Sequence, residues 1–175
     1  MYSARITIQL LITILIFNAS CQNKPKQETN EVAVAEQVDS AAALAKRPGP
    51  DAPRSAADRL VRALYFEHQK KENPFRETKD RSLVEQFFTK STSDLIWAYK
   101  KPLKANLLFK VRDEAVKKTW VEPAAVGGSR AIVYTTFENN GKAQEIKLEM
   151  QQIAGRWRIN DMVYPDGSRL TQLLQ

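Results

Sequence analysis

Apolar residues change their spacing four times along the 175-residue chain. Between Ile6 and Phe17 nine of twelve residues are apolar, without helical or strand alternation. From Gln22 to Pro53 no period persists. Beyond Ser55 the apolar residues return at helical spacing, with Leu60, Ala63, Leu64 and then Glu67/His68 along one stripe. Ser55 and Asp58 stand three residues apart ahead of that stripe, the pattern of a capping box, and Asn73-Pro74 ends the segment. Ser82 predicts the cap of a second helix, in which Leu83, Val84, Phe87 and Phe88 form i,i+4 apolar pairs. Ser91 to Asp94 repeats the capping pattern before Leu95, Ile96, Trp97 and Tyr99, and Pro102 stops this third helix.

The second half turns to period two. A strand is predicted around Lys118–Val126, ending at Gly127-Gly128. Arg130 to Glu138 is β-branched and aromatic, and Asn139-Asn140-Gly141 supplies residues that tolerate positive φ, a hairpin signal. On the return strand Ile146, Leu148 and Met150 oppose Glu145, Lys147 and Glu149. Gln151 to Gly155 turns again, and the next strand sets Trp157, Ile159, Asp161 and Val163 against Arg158 and Asn160. Asp166-Gly167-Ser168 leads into a terminal helix over Ser168–Leu174. The fold class read from this order is α+β: N-terminal helices packed on an antiparallel β-meander, with a short C-terminal helix.

Composition divides the chain. Residues 22–53 contain no aromatic side chain, end in a proline-rich run, and balance five basic against five acidic residues when Arg54 is included. Such a stretch buries too little apolar surface to offset its ordering entropy. It reads as a tether, with a transient helix over Glu31–Ala45. All three tryptophans and six of the seven phenylalanines fall within residues 54–175, a length that suits one core.

At the other end, Arg5 precedes the apolar run, which as a helix would reach ~18 Å, short of the ~30 Å hydrocarbon core of a bilayer. Asn18-Ala19-Ser20-Cys21 follows it and resembles the lipobox of secreted bacterial lipoproteins. Ala19 and Ser20 match that pattern, and Asn18 occupies the place where Leu, Val or Ile is usual. The resemblance implies a signal peptide over residues 1–20 and a diacylglyceryl group and palmitate on Cys21. It also implies a tether over 21–53 holding a domain of residues 54–175 at the bacterial cell envelope, facing the periplasm if the source is Gram-negative. Ordinary secretory cleavage and a retained anchor are the alternatives. Cys21 is the only cysteine, so no intramolecular disulfide can form.

The final 20 residues carry a second resemblance, through Trp157, Ile159, Asp161, Tyr164, Asp166-Gly167 and Leu170. With the helical half they resemble bacterial lipoproteins of unknown function related to the cystatin-like, nuclear-transport-factor-two-like cone fold. What this implies is a curved sheet around helices with a pocket at its wide end. It implies no activity, because function belongs to the site and not to the fold.

The chemistry on offer is sparse. His68 is the only histidine, and with Asp161 it forms the one acid–base pair worth testing, as in a pocket hydrolase or isomerase. No spacing suits a metal or a cofactor, no serine sits in a nucleophile elbow, and Gly127-Gly128-Ser129 lacks the flanks of a phosphate loop. Residues 55–175 carry 21 basic and 15 acidic groups. Seven of the basic residues crowd together as Lys100, Lys101, Lys104, Lys110, Arg112, Lys117 and Lys118, a surface for an anionic envelope component or an acidic partner. Nucleic acid is not an expected partner of an exported chain without a recognition motif. Trp97, Tyr99, Trp157 and Tyr164 are the candidate lining of a pocket. The reading is a lipid-anchored, non-catalytic binding module; the alternatives are the His68–Asp161 enzyme and an immunity protein against a wall-attacking toxin. Mass spectrometry of the mature N-terminus is expected to find a lipidated Cys21; an unmodified thiol removes the anchor.

Overall fold

The computed structural model describes residues 40–68, 81–99 and 106–175. The signal segment with Cys21, the tether up to residue 39, Asn73-Pro74 and Pro102 lie outside these residues. Three helices, α1 (Ala56–His68), α2 (Arg81–Phe87) and α3 (Lys90–Ala98), precede strands β1 (Val116–Val121), β2 (Ala125–Gly127), β3 (Arg130–Asn139), β4 (Lys142–Ile153) and β5 (Arg156–Val163). A last turn of helix, α4 (Leu170–Leu173), closes the chain. The sheet is antiparallel throughout, with β3 and β4 central, β5 beyond β4, and both β1 and β2 on the far side of β3. The α+β architecture follows the order of periods in the sequence.

The helix α1 begins as its capping box predicts. The Ser55 hydroxyl accepts from the Ala57 amide at 3.2 Å and lies 3.4 Å from the Asp58 amide, while Asp58 Oδ1 accepts from the Ser55 amide at 2.7 Å. Its buried stripe is Ala57, Val61, Leu64 and Tyr65, one step out of phase with the predicted one: Leu60 is half-buried and Ala63 exposed. Asp58 explains the shift, since the carboxylate is fully buried and turns that side of the helix inward. The same Oδ1 accepts from the Ala124 amide at 3.4 Å, and Arg54 stands 3.9 Å from Oδ2. Arg54 in turn donates to the Val121 carbonyl at 2.8 Å. One capping residue thus joins the first helix to the connection between β1 and β2. That connection contains Pro123, which has no amide to donate and splits the single predicted strand in two.

The helix α3 starts earlier than Ser91. Thr89 is its N-cap and accepts from the Thr92 amide, because that phase buries Thr92, Ser93 and Ile96. In α2, Ser82 lies inside the helix, not at its cap, and Val84 and Phe87 are buried as their spacing requires.

The core face of the sheet carries Val133, Thr135 and Phe137 from β3, Ile146, Leu148 and Met150 from β4, and Ile159 and Met162 from β5, all buried. Each large aliphatic side chain removed from water contributes about 1.5–3 kcal/mol. Tyr65, Phe109 and Phe137 pack in sequence with centroids 5.1 Å apart at each step, the first pair tilted and the second edge-to-face. Both hairpins close tightly, with Asn140-Gly141 and Ala154-Gly155 all at positive φ, the turn geometry that matches strand twist. The second turn is therefore two residues long, and Gln151 to Ile153 belong to β4.

A bulge interrupts β5. Ile159 pairs with Met150 but Asp161 pairs with Glu149, so Asn160 is an extra residue. It moves Asp161 and Val163 to the outer face, away from Trp157 and Ile159, which corrects the inward Asp161 expected from plain alternation. There Asp161 receives Arg169 Nε at 2.7 Å, the Thr171 hydroxyl at 2.9 Å and amide at 3.1 Å, and the Met162 amide at 2.8 Å. The outer edge of β5 is covered from Ile159 to Val163. The Thr89 amide donates to the Ile159 carbonyl at 2.9 Å, the Thr92 hydroxyl to the Asn160 carbonyl at 2.6 Å, and Val163 bridges Arg169.

Residues 40–47, N-terminal to the compositional boundary, lie on the outer face. Residues 40–45 are helical and seat on β2, where a Cβ on Gly127 would collide with the Ser40 carbonyl. Arg47 follows, with Nε 2.8 Å and Nη2 2.6 Å from Glu122, Nη2 2.5 Å from Glu145, and its carbon 4.2 Å above the Tyr134 ring. Composition reads this segment as loose, whereas the pairing of one arginine with two glutamates 75 and 98 residues away fixes it.

Replacing Asp58 with Ala leaves the Ser55 and Ala124 amides unpaired and breaks the capping box, although the Ser55 cap remains. Urea denaturation is expected to show a loss of about 2–4 kcal/mol. Burial works to raise the Asp161 pKa, but Arg169, Thr171 and Met162 together hold it below the usual carboxylate range. Lys110 and Ser168 likewise hold the surface Asp166 down at about 2. Both groups bind protons more readily unfolded, so their contribution is complete above ~3.9 and is lost as pH falls toward the folded values. The urea midpoint is therefore expected to decline through that acid window, and to decline less steeply in Asp161→Asn.

Candidate functional site

The sequence-predicted residues do not converge. Tyr164 is a core residue whose hydroxyl donates to the Leu107 carbonyl, and Tyr65 donates to Leu108 at 3.1 Å. Burial pushes both phenols well above the ordinary tyrosine range. Trp157 and Tyr99 pack half-buried against the core, and Trp97 is half-buried on α3. Neither described cleft is lined by any of these four aromatic residues. His68 ends α1, with its side chain outside the described residues. The oxygens of Asp161 are taken up by Arg169, Thr171 and Met162.

The basic run also disperses. Lys100, Lys101 and Lys104 lie outside the described residues. Lys110 reaches Asp166 at 2.5 Å and Ser168 at 2.7 Å, over the Tyr164 ring. Lys118, at φ 52 in a bulge of β1, pairs with Glu138 at 2.7 Å. Arg112 and Lys117 are exposed.

Among the described residues two concave surfaces stand out. One, of about 420 Å³, lies on the outer face between Leu44 and the strands, with Arg130, Ile132, Glu149, Gln151 and Asn160 among its walls. Its carboxylate, Glu149, is engaged by Lys147 at 2.8 Å and by Arg169. The other, of about 570 Å³, lies between the α2–α3 junction and the tip of the β4–β5 hairpin. Glu85, Phe88, Thr89 and Lys90 form one wall, and Ile153, Ala154, Arg156 and Arg158 the other.

This second cleft has a defined charge balance. Glu85 is held by Arg81 at 2.7 Å, and the Lys90 ammonium by Asp94 at 2.9 Å. Arg158 donates to the Trp157 carbonyl at 2.8 Å. Among the described residues neither Arg156 nor Arg158 has a carboxylate partner. Ile153, the cross-strand partner of Arg156, is 46% exposed beside them. Two guanidiniums without a carboxylate partner among the described residues therefore stand next to exposed apolar surface. Sequence reading missed this arrangement although the signal was present: Arg156 and Arg158 flank Trp157 in a strand where the tryptophan points inward, so both arginines must point outward.

No group of three or more acidic, histidine or cysteine side chains is placed to hold a metal ion among the described residues. No helix of the described residues is long and apolar enough to cross a membrane.

No protein-family model matches the sequence, and no curated protein sequence matches it. Solved structures similar in outline include two from Ralstonia species. A chain of the type VI effector–immunity complex Tae3–Tai3 from Ralstonia pickettii aligns over 62% of this chain and 93% of its own, at 15% identity and a TM-score of 0.42. A phospholipid-binding protein from Ralstonia solanacearum, solved with a phospholipid, aligns over 81% and 80%, at 17% identity and a TM-score of 0.33.

Proposed function

We propose that the protein is a lipid-anchored component of the bacterial envelope, tethered through Cys21, whose α+β domain acts as a non-catalytic binding module. The observation that carries the binding role is the cleft beside the β4–β5 tip, where Arg156 and Arg158 stand without carboxylate partners among the described residues, next to exposed Ile153. Several other charged groups are engaged in holding the fold: Asp58 at the start of α1, Asp161 under α4, Glu122 and Glu145 around Arg47. Binding at such a cleft combines charge-assisted hydrogen bonds with burial of a small apolar patch. The export signal supplies the compartment, and the acylated cysteine supplies proximity to the membrane surface.

The reading is tested in cells with a photo-crosslinking residue in place of Ile153 in the full-length protein. Discrete adducts with an envelope component are expected, and they are expected to disappear when Arg156 and Arg158 are both changed to Ala. Adducts that persist unchanged in that double variant, or none at all, remove the cleft as the binding surface.

A further inference from the structure

We infer that the cleft beside the β4–β5 tip takes a single-chain anionic amphiphile, a phosphate head on an alkyl chain. The inference rests on the reading of this cleft as the binding surface and names the class of its ligand. Arg156 and Arg158 are two residues apart on one strand, so their Cα atoms are ~7 Å apart and both side chains leave the same face. Guanidiniums at that spacing can converge on one tetrahedral oxyanion, for which their planar donor forks are suited. The bond from Arg158 to the Trp157 carbonyl already restricts one of them. The adjoining surface is apolar: Ile153 lies directly across from Arg156, followed by Ala154 and the edge of Phe88. A free phosphate would satisfy the arginines but leave Ile153 in water, whereas a neutral lipid would leave the arginines unpaired.

The cleft does not suit a peptide added as a strand. On the outer edge of β5 the Ile159 and Asn160 carbonyls are taken by Thr89 and Thr92 and the Trp157 carbonyl by the Arg158 side chain, which leaves little free ladder for a β-addition partner. Its volume, about 570 Å³, lies in the range of small-molecule sites. The carboxylate on the opposite wall, Glu85, is held by Arg81, which draws it away from repelling an incoming anion. The Lys90 ammonium, 81% exposed, adds positive charge at the rim although Asp94 partly offsets it.

The test uses the mature chain with Cys21→Ser, titrated by NMR with octyl phosphate, inorganic phosphate, octyl glucoside and a hexaglutamate peptide. Octyl phosphate is expected to shift the amides of Ile153, Ala154, Arg156, Arg158 and Thr89. It is expected to bind at least about tenfold more tightly than the other three. Arg156→Gln and Arg158→Gln are each expected to weaken it about tenfold, the loss of one charge-assisted contact. Octyl glucoside binding as well shows that charge is not read, and inorganic phosphate binding as well shows that the chain is not. Either result overturns the inference, as does a tighter hexaglutamate complex or indifference to the arginine variants. Arginine-dependent crosslinks in cells together with no octyl phosphate binding would overturn the ligand class alone, and failure of both would end the cleft reading as well.

Discussion

The buried Asp58 carboxylate is the constraint around which the rest is arranged. A carboxylate cannot leave water without donors, and here those donors come from two distant parts of the chain, the start of α1 and the break between β1 and β2. The donors converge on Oδ1, while Oδ2 is buried with only Arg54 nearby at 3.9 Å, and this arrangement sets the rotation of α1 and hence which of its residues meet the sheet. It also places Arg54 against the β1 edge, where the guanidinium caps a carbonyl and stands 5.1 Å from the centre of the Trp120 ring. Helix phase and edge protection therefore share one cause, and the strand break made by Pro123 is where the two meet.

Edge management also produces the binding surface. An open β5 would present a row of unpaired backbone groups. The α2–α3 junction covers one half and the C-terminal segment the other. Where the junction leaves the strand, near the hairpin tip, a concave space opens that neither element fills. The candidate site is thus a by-product of how the last strand is shielded.

Much of the fold was legible in the sequence, because local rules decide those parts. The Ser55/Asp58 box, the Asn140-Gly141 hairpin and the alternation of Ile146, Leu148 and Met150 rest on chemistry within a few residues. What resisted were features set by distant partners. The bulge at Asn160 inverts the face of Asp161, the Thr89 cap displaces the expected start of α3, and the hold of Glu122 and Glu145 on Arg47 cannot be seen in composition. The site fared worse. Trp157, Ile159, Tyr164 and Leu170, which carry the family resemblance, all pack in or against the core, and Asp161 anchors α4, so the resemblance rests on packing. The run from Lys100 to Lys118 was conspicuous as a string, yet Lys110 and Lys118 are already paired with acids.

The bulge at Asn160 gives β5 two opposite phases in one strand. Ahead of it, outward positions carry the arginines; beyond it, the outward position is the aspartate that fastens the chain end. Removing that single residue would keep the hairpin turn and the composition intact, yet it would force one half of the strand inside out. Insertions and deletions here should therefore be tolerated only in compensating pairs. Asn160 thus acts as a reading-frame marker for the surface of the protein.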